Sequence, residues 1–217
     1  MRKWIPLLII VAALAASAVV YPDLPERVPT HWNFEGEIDR WGPRAWGAWM
    51  MPVVIAFVWA LMRWLPAIDP RRKNYEKFGG TFEAIMLSVM VFMLILHGIT
   101  LAAGLGYPIA MERVAPVAIG LLLIIIGNLL PRARSNWFVG IRTPWTLSSD
   151  RVWEKTHRVG GRLFVLGGIL ISLSALLGAG FSHWVLIAVL SVCSLGAVVY
   201  SYVEWRKEKT ATAAPTS

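Results

Sequence analysis

The residues able to do chemistry fall into two separated segments. In the first, residues 22–45, His31, Asn33, Glu35, Glu37 and Asp39 alternate with Trp32, Phe34 and Ile38 around Gly36. That is the period of an extended hairpin, with oxygen and imidazole donors on one face and apolar groups on the other. Such donors suit an external ligand, with His31, Asn33 and Asp39 as its contacts, or a metal ion, although Asn-, Glu- and Asp-rich turns usually only solvate the chain, and no metal is assigned. The second segment, 131–162, reads PRARSNWFVGIRTPWTLSSDRVWEKTHRVGGR and is the longest and most basic connection. Ser148 or Ser149 can cap a helix starting near Asp150. On that helix Arg151, Lys155, Arg158 and Arg162 share one face, an arrangement that attracts anionic lipid headgroups or recruits a soluble protein.

Catalysis has little to stand on. There is no H-E-x-x-H, G-x-S-x-G or P-loop, and no Cys/His set with zinc spacing around the lone Cys193. No catalytic residue, cofactor or metal ligand is therefore assigned. A membrane-embedded enzyme using His157 and Asp150 is kept only as a rival reading.

The elements that must hold these segments are set by composition. The 217 residues are 57% hydrophobic and 16% charged, with mean hydropathy +0.58, too apolar for an ordinary soluble domain. Six windows reach the length of a transmembrane helix: 4–21, 46–65, 81–105, 114–130, 163–181 and 184–203. The expected fold is an all-α integral membrane protein with six transmembrane helices and a short structured outer loop. Alternate connections carry sixteen and four Lys or Arg, so both termini and the basic 131–162 loop are expected in the cytoplasm. This accounts for the net charge of +8 without direct nucleic-acid binding. Arg2-Lys3, the apolar run and Ala16-Ser17-Ala18 also fit a cleavable signal peptide, which would leave five spans.

Polar groups within the spans are few. Arg63 and Glu83, near the inner ends of adjacent spans, fit an ion pair or snorkelling; His97 fits a bond to a neighbouring helix. A small transporter or exporter would run its pathway past His97, Asn128 and the Arg63/Glu83 region. Gly120 and Gly127, Gly168-x-x-x-Ser172 and Ser174-x-x-x-Gly178 are spacings that let helices approach closely in lipid.

The inner segment resembles the SdpI family of bacterial membrane immunity proteins. The matching residues are Gly127-Asn128 with Pro131, then the run from Asn136-Trp137-Phe138-Val139 through Gly140-Ile141-Arg142-Thr143-Pro144-Trp145-Thr146-Leu147, then Trp153, Thr156-His157-Arg158 and Gly161. Leu24-Pro25, His31-Trp32-Asn33, Gly36 and Asp39-Arg40 are similar to an extracytoplasmic element of unknown function that often precedes it. The resemblance implies a multi-pass protein of the bacterial plasma membrane that confers resistance to a secreted or membrane-active peptide toxin. It also implies the option of signalling by holding a soluble transcriptional repressor at the cytoplasmic face. Asn136, Gly140, Arg142, Thr143, Pro144, Trp145, Trp153 and His157 are then the inner functional loop. The expected organisation is 1–65 with the outer loop 22–45, 66–130, the basic loop with an interfacial helix 131–162, 163–203, and a disordered tail 204–217.

Overall fold

The computed structural model describes residues 4–213 and is mostly helical. Helix α1 (Ile5–Val20) leads into a hairpin of β1 (Arg27–Trp32) and β2 (Ile38–Pro43). Then follow α2 (Arg44–Ile68), α3 (Tyr75–Gly104), α4 (Met111–Leu129), the five-residue α5 (Pro144–Ser148), α6 (Asp150–Ser174) and α7 (Ala179–Ala213).

Long apolar runs without polar partners can satisfy their backbone only internally, which in lipid means helix. Five helical segments are long and apolar enough to cross a membrane: Ile5–Asp23, Arg44–Ile68, Arg72–Gly104, Met111–Arg132 and Gly180–Ala211. Their outward faces remain apolar, with Leu8, Val11, Val53, Phe57, Leu121 and Leu195 all more than half exposed. A soluble bundle would not display such a belt, and the chain is a multi-pass membrane protein. Six apolar spans were expected. The sixth long helix, α6, falls outside this set because its first half carries Asp150, Arg151, Glu154, Lys155, Arg158 and Arg162.

The helices form two groups of three. Ile9 and Ala13 of α1, Ile55 of α2 and Met86 and Met90 of α3 make one core; Ile171 of α6 with Val189 and Cys193 of α7 make the other. In the second group α4 and α6 meet backbone to backbone. A Cβ on Gly127 would lie 2.7 Å from the Gly161 carbonyl oxygen, and Gly120 and Gly168 are equally closed against each other's helices. The small-residue spacing expected for helix contact thus joins these two elements. Gly178 does not take part: a Cβ there would meet nothing within 4 Å.

Connections gather at two opposite ends. At one end lie the hairpin and the α3–α4 and α6–α7 turns, where the Phe34 ring is 5.5 Å from that of His183. Gly36, at φ +84°, turns the hairpin against Glu112. The hairpin seats on the bundle through Val28 and Leu24, which pack on Gly104 of α3 and with Ala48 and Leu101. Of Trp32, Phe34 and Ile38, the apolar side chains expected on one face of the hairpin, Phe34 and Ile38 are exposed and none anchors it to the bundle. Register shifts between Pro29 and Trp32 break the simple alternation, so the anchoring side chains come from the start of β1.

Two further expectations need correction. The helix expected to lie within 131–162 does not end there: Asp150–Ser174 is continuous, and its Gly160 and Gly161 seat Ile141 and the Gly127 carbonyl. Nor does a disordered tail begin at 204, since α7 continues through Ala213, tied by Glu204 to Lys155 and Lys207. Arg2, Lys3 and residues 214–217 lie outside the described residues.

Candidate functional site

The end opposite the hairpin collects the basic segment into a polar knot. Asn136, fully buried, sits at its centre. Its Oδ1 accepts the backbone N–H groups of Phe138 (2.9 Å) and Val139 (2.7 Å), while its Nδ2 donates to the carbonyls of Arg134 (2.9 Å) and Val139 (2.8 Å). One amide side chain thus stands in for the secondary structure that residues 133–143 lack. Gly140 follows at φ +123°, where a Cβ would strike the His157 ring.

His157 lies one turn after Trp153 on α6, and their rings stack at 4.0 Å. Its Nε2 accepts the Ile141 N–H at 3.0 Å, which leaves the proton on Nδ1, 2.8 Å from the Trp153 carbonyl. Complete burial disfavours the imidazolium and lowers the pKa to about 4, against the opposing pull of that carbonyl. Trp153, also buried, donates its indole N–H to the Ala133 carbonyl at 2.8 Å. A neutral imidazole with both nitrogens occupied is a brace rather than a base, and Asp150 does not join it.

Thr143 caps α5 through a reciprocal bond with Thr146, and Pro144 fills the first helical position, where no N–H is needed. The Thr143 hydroxyl also lies 3.0 Å from that of Ser201, and the Trp145 ring packs 5.1 Å from that of Tyr202, so α5 is fastened to α7. Arg142 remains exposed and donates to the Trp137 carbonyl at 2.7 Å, beside the exposed Trp137 ring. Arg151, Arg158 and Arg162 are exposed along α6, whereas Lys155 is 2.6 Å from Glu204.

Three partners on the α2–α3 connection escaped sequence reasoning. Asp69, buried at the end of α2, accepts the Arg71 N–H (2.7 Å), the Tyr75 hydroxyl (2.9 Å) and the Trp137 N–H (2.9 Å). Arg71 reaches the Ser135 hydroxyl and, at 2.6 Å, the Leu147 carbonyl; Asn74 donates to the Ser135 carbonyl at 2.7 Å. These side chains bind the short α2–α3 connection to the long loop, joining the two helix groups. The run Asp69-Pro70-Arg71-Arg72 at the end of an apolar span was the available signal.

At the hairpin end, His31 Nδ1 is 2.6 Å from Asp39 Oδ1 across the strands. Asn33 Oδ1 accepts the Glu37 N–H at 2.9 Å, closing the turn. Between the hairpin tip and the starts of α4 and α7 is a cleft of about 190 Å³, lined by Trp32, Asn33, Phe34, Glu112, His183 and Leu186 among others. His31 and Asp39 do not line it; Asn33 does.

The intramembrane polar residues are scattered. His97 Nε2 is 2.9 Å from the Ser17 hydroxyl, which itself donates to the Ala48 carbonyl at 2.6 Å, linking α1, α2 and α3. Asn128 bonds the Ile124 carbonyl of its own helix. Among the described residues Arg63 and Glu83 make no ion pair; both line a cavity between α2 and α3. These residues do not line a common path.

Comparison with known proteins finds two separate matches along the chain. Residues 8–56 match a domain of unknown function (DUF1648), and residues 132–203 match the SdpI/YfhL protein family. The chain is 24% identical over 206 residues to a Bacillus subtilis (strain 168) protein named Immunity protein SdpI, covering 95% of this chain and 97% of that one. No solved structure matches. The resemblance drawn from the inner run and the hairpin segment is borne out, and the chain is similar to multi-pass proteins of the bacterial plasma membrane.

Proposed function

We propose that this protein is a non-enzymatic immunity protein that crosses the plasma membrane six times and protects its cell from a secreted or membrane-active peptide toxin. The observation carrying this reading is the end-to-end similarity to a protein named for immunity. Six crossings are supported by α6, whose outward Leu166, Leu170 and Leu173 are each more than half exposed. Their apolar stripe continues the belt, while the charged first half of α6 stays at the knot. The uneven Lys and Arg distribution supports a cytoplasmic knot and both termini inside, leaving the hairpin outside.

The toxin engages the hairpin end, where Phe34, Glu112 and His183 converge from three elements. A ligand that prefers one spacing of those elements shifts the two helix groups, and the shift reaches the exposed Arg142 and Trp137. That surface is the docking point for a soluble repressor. Expression in a sensitive bacterium challenged with a panel of membrane-active peptides tests the reading. Wild type should restore survival against at least one peptide, Phe34→Ala with Glu112→Gln should lose it, and Arg142→Ala should keep it. Survival unchanged by the wild-type protein across the panel refutes immunity.

A further inference from the structure

Arg63 of α2 and Glu83 of α3 face one cavity of about 350 Å³, walled by Pro6, Trp59, Met62, Phe82 and Met86. Among the described residues neither side chain makes a hydrogen bond or ion pair. An unpaired acid and base at this depth are costly, and each seeks a charge-assisted partner. Arg63 is exposed on the outer surface of the apolar helix α2, and Trp59 and Pro66, one turn to either side on the same face, line the cavity with it, so the mouth opens where the bundle meets lipid. Gly79 borders the same space, where a Cβ would meet nothing within 4 Å. Its missing side chain is not demanded by packing, and it leaves the cavity open.

We propose that this cavity binds a zwitterionic phospholipid whose headgroup bears a primary ammonium. The phosphate lies on Arg63, the ammonium donates to Glu83, and an acyl chain runs along the apolar wall. A purely anionic headgroup would leave Glu83 without a cation. A choline headgroup has no N–H to donate. The inference does not depend on the immunity reading, since it concerns a different part of the fold.

Purified protein is reconstituted in nanodiscs holding equal ethanolamine, choline and glycerol phospholipids, then re-extracted, and its retained lipids are counted by mass spectrometry. Wild type should retain the ethanolamine lipid about tenfold over the choline lipid, the worth of one charge-assisted hydrogen bond. Glu83→Gln should bring that ratio near one, and Gly79→Leu should lower retention of every lipid. Stepwise N-methylation of the ethanolamine headgroup, offered to wild type, should reduce retention chiefly at the third methyl, which removes the last N–H, and needs no variant to fold. Equal retention of ethanolamine and choline lipids by wild type, or a preference for the glycerol lipid, overturns the proposal.

Discussion

At the scale of single residues, the inner run behaves as scaffold. Asn136 holds four backbone groups that have no other partner in the loop, so Asn136→Ala should cost on the order of 3 kcal/mol, read as a lower melting temperature in detergent. His157 gives a pH signature. Its folded pKa of about 4 lies below the value near 6.5 expected for an unfolded histidine. The unfolded chain therefore takes up the proton first as pH falls. Stability held by this residue is complete above that unfolded value and declines through the interval down to about 4, by about 3 kcal/mol in all. His157→Gln keeps an acceptor for Ile141 but does not titrate, and its melting profile should be flatter than wild type across that interval. Parallel profiles would show that His157 is protonated at no such cost.

Among the elements, the contact of α4 with α6 is the least forgiving. A side chain at Gly127 meets a backbone carbonyl, which cannot rotate aside, so Gly127→Leu should push the helices apart and destabilise by about 3 kcal/mol. Gly98→Ala, with nothing within 4 Å of the new methyl, should leave stability unchanged or slightly raised. The sequence shows why parts of this were legible. Apolar runs declare their spans through length alone, Gly36 with its flanking alternation declares the hairpin, and Ser149 before Asp150 declares the start of α6. What the sequence hides is which turn of α6 is wet. Six charged residues followed by leucines read equally as a surface helix joined to a short span or as one helix passing from water into lipid. Burial of Gly160 and Gly161 against α4 and the loop decides that, and it is a long-range contact with no local signal. Asp69 and Arg71 were hidden for the same reason, since their partners lie more than sixty residues away.

For the whole molecule, orientation is the claim with the most consequences. In a Cys193→Ser background, a cysteine replacing the exposed Ser148 should resist an impermeant maleimide until the membrane is opened. One replacing Glu35 should react in intact cells. Thr146 is fully buried and would report little from either side. Labelling of the Ser148 position from outside would invert the proposed threading and move the toxin-facing end to the knot.

The two helix groups are bound at their rims as well as by the α3–α4 turn: Asp69, Arg71 and Asn74 grip the loop at one end, while Phe34 and Gly36 lean on α7 and α4 at the other. Covalent continuity at that turn is then dispensable. Two polypeptides, 1–106 and 107–217, made in the same cell should find one another and co-purify as a working pair, and Asp69→Ala should make them drift apart.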